Sequence, residues 1–100
     1  MPFSKTQFPG LLIFEPTVFE DSRGYFFESY NQKLFSENGI EINFVQDNQA
    51  LSSFGIIRGL HFQKNPFAQT KLIRVLSGKI IDAAVDLRKN SPTYGDAYTI

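Results

Sequence analysis

One histidine, His61, is the only imidazole in the chain; Arg58 precedes it by three positions and Lys71 follows it by ten. Imidazole takes and gives a proton near neutral pH without a large environmental shift, so proton transfer is the first chemistry to consider here. Lys71 suggests a companion role, because an ammonium beside a developing oxyanion stabilises an enolate where water is excluded. Both residues also have plainer readings. A lone histidine in a strand is more often packed or solvent-facing than catalytic, and Lys71 reads equally well as a lysine at the mouth of a strand.

Two further groups carry donors and acceptors. Asp21, Arg23 and Glu28 surround Gly24 and the aromatic run Tyr25-Phe26-Phe27. That pattern is either a polar turn leading into a core strand, or a site in which the planar guanidinium of Arg23 forks onto a phosphate or carboxylate. Gln46 and Asn48 share a strand face and could hydrogen-bond a neutral polar ligand, while Asp47 points the other way.

Composition narrows the partners. Ten basic and ten acidic side chains give a formal net charge of zero, which argues against a nucleic acid or an anionic membrane held by bulk charge. Any bound anion must then be met by placed arginines. With no cysteine there are no disulfides, no thiol nucleophile and no thiolate metal site. A single histidine leaves zinc, iron or manganese short of ligands, so no metal is expected. No apolar run reaches about 18 residues, and the start Met1-Pro2-Phe3-Ser4-Lys5 lacks the apolar region of a signal peptide. The expected location is cytoplasmic.

These residues need a scaffold. A chain of 100 residues is one domain, able to bury roughly 65% of the surface its unfolded form exposes. Eleven phenylalanines and four tyrosines favour pleated, half-buried surfaces and hence β structure. The pattern predicts a strand from Leu11, broken at Pro16, which cannot donate to a ladder. A turn follows over 20–24, then a strand over 25–30. Asn31 caps a helix that runs to Asn38 and ends at Gly39. Further strands are predicted over 42–50 and 56–63, with a turn at Ser52-Ser53-Phe54-Gly55. A hairpin pairs 72–76 with 79–87 around Ser77-Gly78. A loop covers 88–95, and a last strand begins at Ala97. Short antiparallel strands at this spacing point to a sandwich or barrel. In a regular strand, Arg58 and His61 would face opposite sides, so a shared site requires an irregularity at Gly59.

The succession Gly10-Leu11-Leu12-Ile13-Phe14-Glu15-Pro16, Asp21-Ser22-Arg23-Gly24-Tyr25-Phe26-Phe27-Glu28, Phe44-Val45-Gln46-Asp47-Asn48, Arg58-Gly59-Leu60-His61-Phe62-Gln63, Lys71-Leu72-Ile73-Arg74-Val75 and Val85-Asp86-Leu87-Arg88 closely resembles the dTDP-4-dehydrorhamnose 3,5-epimerase family. The resemblance implies an all-β, cupin-type antiparallel jelly roll with one short helix, in a homodimer with an exchanged N-terminal strand. It implies an isomerase that inverts C3 and C5 of a dTDP-4-keto-6-deoxyhexose without a cofactor, giving dTDP-4-dehydro-L-rhamnose. By position, His61 corresponds to the base and Lys71 to the group that stabilises the enolate oxygen. Arg58, Gln46 and Asn48 correspond to substrate contacts near the sugar and phosphates. Arg23 and Glu28 correspond to nucleotide contacts given across the dimer, and Asp82 to a polar neighbour.

The resemblance also has a departure. The family carries a tyrosine acid, a second histidine and an aspartate that orients the catalytic histidine in a stretch beyond the motifs matched here. The surroundings of Tyr94 and Tyr98 do not match the acid. Two other functions therefore stand beside the epimerase: a non-catalytic module that binds a deoxysugar nucleotide, and an enzyme that inverts only one of the two carbons.

Overall fold

A computed structural model describes residues 2–100, in which the regular elements are six short strands and one helix. The strands form three antiparallel pairs. In the first, β1 (Phe3–Lys5) lies against β2 (Leu12–Phe14), with Phe3 opposite Phe14. The connection is closed from within, since the Thr6 hydroxyl donates to the Leu11 carbonyl at 2.8 Å and accepts from the Phe8 amide at 3.1 Å. A strand ahead of Leu11 is not predicted by the sequence. Phe3-Ser4-Lys5 is too short to display a period of two, and only its pairing with β2 reveals it.

The second pair joins β3 (Val18–Asp21) to β4 (Gly24–Phe27), with Asp21 opposite Gly24. The Arg23 amide donates to Asp21 Oδ1 at 2.8 Å, the side-chain turn that aspartate favours, and Gly24 takes a φ of +133° that suits glycine alone. The third pair sets β5 (Ala83–Val85) against β6 (Ala97–Thr99), with Ala84 opposite Tyr98.

Helix α1 (Gln32–Glu37) falls where its signals put it. The Leu34 amide donates to Asn31 Oδ1 at 3.0 Å, which satisfies one of the otherwise orphaned first-turn donors. The Gly39 amide returns to the Ser36 carbonyl at 3.1 Å. Replacing Asn31 by alanine should cost about 1 kcal/mol, to be read as a shift in the denaturant midpoint; an unchanged midpoint would show that the cap is dispensable.

The helix buries one side chain completely. Phe35, 1% exposed, meets the rings of Phe3, Phe14 and Tyr30 at centroid distances of 5.0, 4.9 and 4.8 Å, each close to edge-on. Tyr30 extends the cluster to Phe44 at 5.5 Å. Edge-to-face contact is the arrangement that ring quadrupoles favour. A second contact joins the β1–β2 connection to the third ladder: buried Phe8 lies 5.9 Å from Tyr98.

The middle of the chain departs from expectation. Segments 42–50, 56–63 and 72–76 form no ladder among the described residues, and of 79–87 only Ala83–Val85 is a strand, paired with β6 rather than with 72–76. The chain does bend at Ser77-Gly78, and Gly78 has a φ of +86°. The turn chemistry is present without the hairpin. Ile73, Leu76, Ile80 and Ile81 are all exposed, and a two-stranded ribbon with no apolar face to pack is marginal in water. The Cα radius of gyration, 15.6 Å, exceeds the roughly 13 Å of a closed domain of this length. No helix among the described residues is long and apolar enough to cross a membrane.

Candidate active site

The candidate residues occupy two regions. Arg23 sits in the β3–β4 turn, bound to the neighbour its sequence supplies: Nη2 donates to Asp21 Oδ2 at 2.6 Å and Nε to the same oxygen at 3.2 Å. The Arg23 side chain, and after it the Arg23 amide, hold the Asp21 carboxyl below its ordinary value. The pair is exposed, so its net worth to stability is small. Glu28 follows β4 and is exposed as well.

The other candidates lie along the irregular middle of the chain. Gln46 and Asn48 face each other, the Gln46 amide nitrogen donating to Asn48 Oδ1 at 3.2 Å. The two side chains therefore lie on one side of the chain. Arg58 Nε donates to Ser52 Oγ at 2.9 Å and Nη2 to the Leu51 carbonyl at 3.3 Å. These bonds are possible because the chain turns between them, with the Ile56 amide on the Ser53 carbonyl at 3.3 Å.

His61 and Lys71 are exposed, and among the described residues neither makes a side-chain hydrogen bond or an ion pair. Gly59 has a φ of +125°, and a Cβ built there would lie 3.8 Å from both His61 N and His61 Nδ1. The chain thus departs from a regular strand between Arg58 and His61, and the departure abuts the imidazole. Alanine at 59 would be strained by its backbone rather than by lack of room, at a cost of about 1–3 kcal/mol. The expected result is a lower melting temperature; a wild-type value would show the conformation to be unimportant. Three residues beyond Lys71, the Arg74 guanidinium stands 6.0 Å from the centre of the Phe27 ring, which ties this segment to β4.

One polar centre is not assigned by the sequence reading. Asp86, 4% exposed, accepts from Arg88 Nε at 2.9 Å, Arg88 Nη2 at 3.0 Å, the Arg88 amide at 3.0 Å, and the Ser91 and Thr93 hydroxyls at 2.6 Å each. This carboxylate organises the loop between β5 and β6. The spacing of Asp86, Arg88, Ser91 and Thr93 in a turn-rich stretch is the only sequence signal for it. The Arg88 guanidinium, then the two hydroxyls, hold the Asp86 carboxyl far below the usual range. A carboxyl depressed on folding contributes stability above its unfolded value, about pH 4, that is lost as pH falls toward the folded value. Thermal unfolding near neutral pH and near about pH 3 should therefore show a drop that Asp86→Asn flattens, and equal slopes in the two proteins would count against this assignment. Among the described residues, no three His, Cys, Asp or Glu side chains gather as a metal site would require.

The family model described as dTDP-4-dehydrorhamnose 3,5-epimerase matches residues 5–100. The chain is 55% identical over 94 residues to a protein of that name from Methanothermobacter thermautotrophicus, covering 94% of this chain and 50% of the relative. It is 55% identical over 92 residues to one from Shigella flexneri, covering 91% of this chain and 51% of the relative. It thus spans about half the length of these curated relatives. A crystal structure of dTDP-4-dehydrorhamnose 3,5-epimerase from Elizabethkingia anophelis superposes with a TM-score of 0.93 at 52% identity, over 98% of this chain and 54% of that one. A Bacillus anthracis epimerase with TDP and pyrophosphate bound superposes with a TM-score of 0.92 at 49% identity, over 98% of this chain and 57% of that one. A match over nearly all of the sequence, together with this agreement in backbone, establishes that the chain belongs to the dTDP-4-dehydrorhamnose 3,5-epimerase family.

Proposed function

We propose that this chain acts in the epimerisation of a dTDP-4-keto-6-deoxyhexose at C3 and C5, giving dTDP-4-dehydro-L-rhamnose, with His61 as base and Lys71 beside the enolate oxygen. The observation that carries this reading is the backbone match to the Elizabethkingia anophelis epimerase, with a TM-score of 0.93 at 52% identity over 98% of the chain. The chemistry is consistent with the residues. Both reacting carbons lie α to the C4 ketone, so removing either proton leaves charge on the same oxygen. One imidazole base and one ammonium then serve both inversions. A proton delivered from solvent to the opposite face of the enolate completes each inversion.

Arg23 and Glu28 contact the nucleotide in this reading, which the TDP held by the Bacillus anthracis relative supports. Gln46, Asn48 and Arg58 contact the sugar and phosphates. The scaffold is a cupin-type jelly roll in which segments 42–50, 56–63, 72–76 and 79–87 are strands. Their exposed apolar side chains and their backbone agreement with the solved epimerases support this assignment. The assembly is a homodimer in which an N-terminal strand is exchanged.

Incubation of the full chain with the keto sugar nucleotide in deuterium oxide tests the function. Deuterium at both C3 and C5 is the expected result. Incorporation at one carbon would make the protein a monoepimerase, and binding without incorporation would make it a non-catalytic sugar-nucleotide module; either outcome overturns the proposal.

A further inference from the structure

We propose that Ser52 is a positioning residue for substrate binding: its hydroxyl braces the Arg58 guanidinium so that the free end of the fork faces an oxyanion of the sugar nucleotide. The proposal rests on the reading that Arg58 touches the substrate.

A guanidinium has five N–H groups in a rigid plane, and the two terminal nitrogens form the edge that suits a phosphate or carboxylate in bidentate fashion. In this structure the side edge of Arg58 is occupied, Nε by Ser52 Oγ at 2.9 Å and Nη2 by the Leu51 carbonyl at 3.3 Å. Among the described residues no other acceptor lies on this side chain, so both Nη1 hydrogens and one on Nη2 remain available. Unlike Arg23 and Arg88, which spend their guanidinium on a carboxylate of their own chain, Arg58 is held by neutral acceptors only. Its charge is therefore not neutralised within the chain. The bracing also acts against entropy. An exposed arginine has several rotatable bonds to freeze on binding, and two hydrogen bonds to a turn six and seven residues earlier restrict them beforehand.

That turn explains why a serine can do this. The Ile56 amide on the Ser53 carbonyl, at 3.3 Å, folds the chain back, and Gly55 takes a φ of +84° at the reversal. Ser52 is thereby set across from Arg58, directly after the segment carrying Gln46 and Asn48. One small hydroxyl links the two stretches that this reading assigns to the substrate.

The test is a double-mutant comparison in the full chain, following KM and kcat for the keto sugar nucleotide. Ser52→Ala should raise KM about three- to tenfold, the equivalent of one lost hydrogen bond, with kcat nearly unchanged. Ser52→Thr, which keeps the hydroxyl, should restore KM. In an Arg58→Ala background, Ser52→Ala should add nothing. A Ser52→Ala enzyme with wild-type KM, beside a weakened Arg58→Ala enzyme, overturns the brace alone. So does an equal effect of Ser52→Ala with and without Arg58, because a merely structural serine would act in both backgrounds. Wild-type KM in Arg58→Ala removes Arg58 from the substrate, and the proposal falls with that reading.

Discussion

Substituting His61 by asparagine should remove deuterium incorporation at both C3 and C5, a loss of about a hundred- to ten-thousandfold in turnover, while binding of the sugar nucleotide persists. Asparagine retains a planar polar group and can still hydrogen-bond, but its amide has no basic nitrogen to accept a proton from carbon. The chain contains no second imidazole to replace it. Simultaneous loss at the two carbons is the informative part. If one base serves both, a single substitution silences both; if two groups share the work, one carbon continues to exchange. Persistent exchange at either carbon would remove His61 from that half of the reaction. A parallel loss of binding would instead indicate that His61 holds the substrate rather than deprotonating it.

Replacing Phe35 by alanine should cost about 3–5 kcal/mol, the largest stability effect of any single change considered. The ring is fully buried and touches three other aromatic side chains drawn from β1, β2 and the segment before α1. Alanine therefore leaves a cavity that four separate backbone segments would have to collapse to fill. A domain of ordinary stability has about 5–15 kcal/mol in all, so the change should lower the denaturant midpoint severely. Phe35→Leu should lose less, since it keeps much of the volume while giving up the edge-to-face contacts. A deficit below about 1 kcal/mol for the alanine variant would mean that the cluster is not the centre of the fold.

What could be read from the sequence follows from the range of each interaction. Helix α1 is legible because its start and stop are local: Asn31 reaches the Leu34 amide, and Gly39 takes the positive φ that ends it. The β3–β4 turn is legible for the same reason, since Asp21 bonds the amide of Arg23 two residues on. Strand pairing is different. Ser77-Gly78 has correct turn chemistry, yet no ladder forms beside it, because pairing depends on what packs against the ribbon. The loop 88–95 is legible from its turn residues, but the pairing of β5 with β6 across it rests on the contacts of Asp86, which sequence spacing does not display. Among the candidate site residues, side-chain type and spacing single out His61, Lys71 and the arginines. The bracing of Arg58 by Ser52 depends on a backbone reversal between them, which residue types alone do not display.

Residues 45–81 present Val45, Leu51, Ile57, Leu60, Phe62, Ile73 and Ile81 to solvent alongside backbone that, among the described residues, no ladder occupies. Unpaired amides and carbonyls next to apolar side chains form an adhesive edge that accepts any extended strand presented to it. Correct association and wrong association then compete for one surface, and concentration decides between them.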